Sequence, residues 1–316
     1  MRLIEIYQKF ISLGKENDPR PAEEVEKYLA RAAKEYEKLT DEEKEYFDQE
    51  RLTNPYGDTR ILNGDPETEV KRILAGIDME TQEILLADRL REKGERIDLV
   101  LSHHPEGTAL ANLYRVMALQ EDVLAQLGVP INVAEGVLAS RISEVQRGIM
   151  PLNHQRSVDA ARLLNLPFMC VHTPADNMVN TFLDKLFAEK KPETVGDIVE
   201  ILLTLPEYQA SKRTNAGPKL FTGKESNRAG KIFVDMTGGT SGSEDAFAKL
   251  AIAGVGTIVG MHMGEKHRKE AEKNHINVLI AGHMASDSLG INLLLDALEK
   301  EGLEVITCSG LHRVKR

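Results

Sequence analysis

From Lys71 onwards, short apolar runs alternate with segments of helical periodicity, and this alternation constrains the fold more than any other feature of the chain. Residues 71–77, 98–101, 167–171, 231–236, 256–261, 277–281 and 304–308 read as strands. Residues 81–94, 110–127, 137–148, 155–164, 177–187, 195–205, 244–253, 265–274 and 289–301 read as helices. Strands that alternate with helices make an α/β fold with mainly parallel strands, joined by right-handed crossovers. The polar stretch 217–230, rich in Gly, Lys and Ser, reads as a loop, and no internal repeat stands out.

Residues 1–52 are also helical in pattern. Val25, Leu29, Ala32, Ala33, Tyr36 and Leu39 make one apolar face among many charges, and Thr40 to Glu43 reads as a capping box. This charge density suits a solvated face.

Composition narrows the function classes. The net charge of −10 argues against nonspecific nucleic-acid binding as the main task. No window approaches the roughly 18 apolar residues of a membrane span. The first residues lack the continuous apolar stretch of a secretory signal. Cys170 and Cys308 lie far apart and belong to no Cys-x-x-Cys, so they read as free thiols in a cytoplasmic protein.

Chemistry gathers where apolar runs stop. Residues 99–104 end in His103-His104, and Pro105 cannot continue a sheet ladder. The pair reads either as two ligands turned towards one point or as two solvated loop histidines. Residues 168–176 end in His172-Thr-Pro-Ala-Asp176, and residues 278–287 end in Gly282-His283-Met-Ala-Ser-Asp287. In a parallel sheet every C-terminal strand end lies on one edge, where ligands of α/β folds bind. That edge receives His103, His104, His172, Asp176, His283 and Asp287. A helix starting near Gly282 puts His283 and Asp287 on one face. Three such strand ends favour metal binding over three unrelated histidines. Imidazoles with carboxylates and no thiolates suit Zn, Mn, Fe, Co or Ni. Such a set has room for two ions about 3.5–4 Å apart, which is hydrolase chemistry.

Other signals are weaker. Gly238-Gly-Thr-Ser-Gly-Ser243 lacks the Gly-Lys-Ser/Thr ending of a P-loop and reads as a tight turn more readily than as an anion cradle. His262 follows an apolar strand and is placed to approach the site, whereas His267 reads as a helix-surface residue.

Taken in order, these motifs resemble the NGG-one-interacting-factor-three-like family, whose members are known as GTP cyclohydrolase 1 type 2 homologues. The matching residues are His103-His104-Pro105, His172-Thr173-Pro174-Ala175-Asp176, Gly238-Gly239, and Gly282-His283 with Asp287; the Asn63-Gly-Asp65 turn is also similar. The resemblance covers about residues 54 to 316. It implies a dinuclear site with His103, His104, Asp176, His283 and Asp287 as ligands and His172 orienting Asp176 or a water. It further implies a homo-oligomer, often a toroidal hexamer. Two departures stand out. The family usually has Glu where this chain has Asp287, whose shorter reach is expected to weaken one metal. The stretch between His104 and Asp176 is longer than the pattern requires.

The expectation is an α/β protein with residues 1–52 as an N-terminal helical extension and 53–316 as two α/β lobes. The lobes hold two divalent ions between them at the C-terminal strand edge. The expected function is a metal-dependent hydrolase of cyclohydrolase or amidohydrolase type, in which metal-bound hydroxide attacks a small-molecule substrate. His172 and His262 are the expected general acid and base. The alternative is a metal-binding regulatory or scaffold protein without turnover.

Overall fold

A computed structural model describes residues 1–316. Its strands are β1 (Arg60–Asn63), β2 (Arg72–Gly76), β3 (Leu99–Ser102), β4 (Phe168–Cys170), β5 (Lys219–Thr222), β6 (Lys231–Asp235), β7 (Val255–Gly260), β8 (Asn277–Ile280) and β9 (Glu304–Cys308). They form two sheets, ordered β1-β4-β3-β2-β9 and β5-β8-β7-β6. The fold is α/β with mostly parallel strands, as the alternation of elements predicts. Only the two edge pairings, β1 with β4 and β5 with β8, are antiparallel.

Continuous apolar strands follow from burial on both faces. In the first sheet Ile73, Ala75, Leu99, Leu101 and Met169 face one core, while Leu74, Val100, Phe168 and Cys170 face another. In the second sheet Val234, Val259 and Leu279 face one core, while Ile258 and Val278 face the other. Register therefore decides both faces of each sheet, and a one-residue slip would exchange them.

Two strands lie where no strand is expected. β5 occupies the start of the polar stretch 217–230; only Thr222 of its four residues is buried, so it lacks alternation. β1 is a short edge strand with Arg60 and Asn63 at its ends. The helix expected over 110–127 is divided into Gly107–Ala111, Leu113–Val116 and Leu119–Gln126. The helix Leu3–Glu16 packs into the first lobe rather than projecting from it. Leu3, Ile6 and Phe10 are fully buried in its core, and the Val70 N–H donates to the Met1 carbonyl. Ala22–Glu37 buries only Val25, Leu29 and Ala32.

The two sheets repeat one plan, which the sequence hides. Each contains an antiparallel edge strand followed by three parallel strands, in orders β1-β4-β3-β2 and β5-β8-β7-β6, and β9 adds a fourth parallel strand to the first. Each ends in a long helix that leaves its lobe. Thr173–Lys190 follows β4 and leads to the second lobe; His283–Glu299 follows β8 and leads back to β9. These helices pack so closely that a Cβ on Gly290 would lie 2.3 Å from the Ala175 carbonyl oxygen. Their first turns are thereby held together at the ends of both sheets.

Candidate metal centre

The two repeats share one local motif. His172 and Asp176 begin the first crossing helix, and His283 and Asp287 begin the second, each pair spaced i, i+4. Pro174 sits in the first turn of its helix, where its missing N–H has no intrahelical partner to lose. Gly282 precedes its helix at φ 124°, a conformation that favours glycine. His103 and His104 follow β3 directly.

The structure brings all of these residues together. His103 Nε2 lies 3.5 Å from Asp176 Oδ1 and 3.6 Å from Asp287 Oδ1. His104 Nε2 and His283 Nε2 each lie 3.5 Å from Asp287 Oδ2. Asp287 is buried, and its two oxygens face different histidines: His103 on one side, His104 and His283 on the other. Its side chain therefore spans the cluster despite being one methylene shorter than Glu. His172 groups with His103 and His104, each offering a ring nitrogen within 4.8 Å of the others. The ring centroids of His262 and His283 are 5.1 Å apart.

Neighbouring acceptors set the tautomers. The Val171 carbonyl can only accept, so the His103 Nδ1–H donates to it at 3.1 Å and leaves the Nε2 lone pair facing the two aspartates. His104 Nδ1 donates to Asp78 at 2.6 Å, and His172 Nδ1 donates to Asp58 at 2.8 Å. The Thr173 hydroxyl also donates to Asp58. Asp58 and Asp78 are functional partners that sequence reasoning misses. Asp78 does carry a signal, since it follows an apolar strand end. Asp58 carries none, because the contact spans 114 positions.

The electrostatics are unbalanced. Burial, and then the Asp287 and Asp58 charges, push the Asp176 carboxyl well above the usual range. Burial opposes ionisation of Asp287 as well, but His103, His104 and His283 outweigh it and hold Asp287 far below that range. Burial also works against a charged His104, yet Asp287 and Asp78 lift it to about 9. Three buried atoms at the centre, His103 Nε2 and both Asp287 oxygens, have no hydrogen-bond partner. Buried acceptors without donors are rare and costly. A divalent cation fits this set, because in displacing the protons that burial and charge place on Asp176 and His104 it would meet imidazole and carboxylate lone pairs. They fall into overlapping groups: His103, Asp176 and Asp287; His104, His283 and Asp287; His103, His104 and His172.

The turn Thr237–Ser243 borders the cluster. Met236, Thr237, Gly239, Thr240 and Ser241 line one recess with His172, Asp176, His262 and His283. Gln120 donates to the carbonyls of Gly238 and Thr240, both at 2.7 Å, and Arg141 donates to that of Ser241 at 3.1 Å. The long stretch between His104 and Asp176 thus pins this turn. His267 is not a plain surface residue. Its Nε2 donates to the Gly242 carbonyl at 2.9 Å, and its ring packs against Phe247.

Among solved structures, a NIF3 superfamily protein from Sphaerobacter thermophilus superposes with a TM-score of 0.70 and 27% identity, over 82% of this chain and 94% of that one. The chain has the fold of the NIF3 superfamily. Reduced HcgD from Methanocaldococcus jannaschii shares the NIF3 fold at a TM-score of 0.51 and 16% identity, over 84% of this chain and 94% of that one. No protein-family profile and no curated protein sequence matches the chain. The NIF3 fold and the His/Asp cluster thus stand together, and no helix is long and apolar enough to cross a membrane.

Proposed function

We propose that this protein is a metal-dependent hydrolase acting on a small molecule through two divalent ions. The observation that carries this reading is Asp287, a buried carboxylate whose two partnerless oxygens face separate sets of imidazoles. One ion would be held by His103, Asp176 and Asp287, the other by His104, His283 and Asp287. Divalent ions of the Zn, Mn, Fe, Co or Ni type supply Lewis acidity that polarises a carbonyl or phosphoryl oxygen and acidifies water. The chain supplies the rest. Val171 and Asp78 fix the rings of His103 and His104, which lowers the reorganisation needed when a cation is taken up. Asp58 fixes His172 through Nδ1, which also lies 3.8 Å from Asp176 Oδ2, and leaves Nε2 without a hydrogen-bond partner. His262, steadied by Ser241 at 3.1 Å, faces the same recess. His172 and His262 are therefore the best-placed groups to accept or return a proton at the substrate. In the same reading the protein is a homo-oligomer, a hexamer, of the cytoplasm, whose reducing conditions suit the free thiols Cys170 and Cys308.

Metal analysis of the purified, reconstituted protein tests the ligand set. We expect close to two ions per chain, falling steeply in His103→Ala/His104→Ala. Less than about half an ion, or no loss in the double variant, removes the assignment. Amide, phosphoester and nucleotide substrates then test turnover, which Asp176→Ala should abolish. A full complement of metal with no turnover on any of them would favour a metal-binding scaffold instead.

A further inference from the structure

Beside the metal cluster lies a second recess of different character. Leu124, Leu138, Phe247, Leu250 and Ile258 wall it. Asp235, Met236, Thr237, Ser241 and His262 border both recesses, so the two are contiguous. No Lys or Arg lines the apolar recess.

Most of its polar side chains are already engaged. The Gln120 amide donates to two turn carbonyls, and Asn180 is used by Asp184 and the Met236 N–H. The His267 Nε2–H goes to Gly242. Asp235 differs. Its side chain ends β6, is accessible from the cavity, and has no hydrogen-bond or ion-pair partner, although the protein packs densely around it. The wall around it, and to a lesser degree His267 in the opposite sense, set its carboxyl at about 6. The recess thus combines an apolar body with one free acceptor, and no Lys or Arg lines it to receive an anionic group.

We propose that this recess is the substrate's specificity pocket, and that it takes an aromatic or similarly apolar body bearing an amidine- or amine-type N–H donor, held by Asp235. Such a group donates to the carboxylate while its ring covers Leu138 and Phe247. The remainder of the molecule then reaches past Thr237 and His262 towards the metal cluster. The proposal rests on the hydrolase reading only for what happens there; binding in the recess does not require turnover.

Benzamidine, with benzoate as its charge-reversed isostere, probes the pocket by ligand-observed NMR and calorimetry on the metal-loaded protein. Benzamidine should bind and benzoate should not. Asp235→Asn should weaken benzamidine by about tenfold or more, as for loss of a charge-assisted hydrogen bond, and should leave metal content unchanged. Leu138→Trp, which fills the cavity, should abolish binding and reads the same site if Asp235→Asn fails to fold. The proposal is overturned if benzamidine does not bind at millimolar concentration, if benzoate binds as well, or if both variants keep wild-type affinity. Metal content measured on the same samples separates the two ideas. Benzamidine binding without metal removes only the hydrolase reading; full metal without benzamidine binding removes only the pocket.

Discussion

At the scale of single residues, the centre is built by acceptors that fix histidine rings. Asp78 is half exposed, and its side chain's contact in the site is with His104 Nδ1. Asp78→Ala should therefore leave the fold intact and lower metal affinity by about tenfold, measured by competition with a chromogenic chelator. Unchanged affinity would remove the orienting role. Asp235 makes a separate prediction. Its carboxyl is raised to about 6, so the folded state favours the neutral form and bears the cost of the charged one above that pH. Asp235→Asn should stabilise the protein above pH 6 and lose this benefit as pH falls from 6 towards the ordinary carboxylate range. The gain should stay below about 1 kcal/mol because the accessible carboxylate is screened. Melting curves from pH 4 to 8 check the sign; a benefit confined to low pH would contradict it. The ligand candidates were legible in the sequence because they sit at strand ends, which apolar runs mark. Asp58 was not, because its meaning depends on a partner more than a hundred residues away.

At the scale of elements, legibility followed burial. Strands with two covered faces announce themselves as Leu/Val/Ile runs, and β2, β3, β7 and β8 are of this kind. Edge strands β1 and β5 have too few buried positions to show a period. The helix Leu3–Glu16 was visible as a helix but not as core, since its buried Leu3, Ile6 and Phe10 are interleaved with exposed polar residues. Nor could a sequence show which helix faces touch. The contact of Gly290 with Ala175 is a case in point, lying three residues from Asp287 and one from Asp176. Gly290→Ala would gain about 1 kcal/mol of helix propensity, but its Cβ meets backbone, which cannot turn aside. We expect a net loss of about 1–3 kcal/mol together with reduced metal content. Denaturant titration and metal analysis read both effects. A variant more stable than wild type with full metal would refute the close crossing.

At the scale of the whole molecule, the candidate ligands come from both lobes, so occupancy should act on global stability. A divalent ion at a hundred times its dissociation constant contributes about 2.7 kcal/mol, or several degrees in melting temperature. Zinc, manganese or cobalt should raise the transition of chelator-treated protein and EDTA should lower it again; a transition indifferent to all of them would count against the cluster. The α/β class was readable from the alternation of elements, but the repetition of one plan was not, because the halves share topology and one His-x-x-x-Asp spacing rather than sequence. That repetition has a further consequence. Each half closes its own four-strand unit before sending out one crossing helix, and the second half alone carries Asp287 while the first alone carries His103 and His104. A break in the chain between β4's helix and β5 would yield two fragments with complementary halves of a coordination shell, and metal uptake would then report their reassembly.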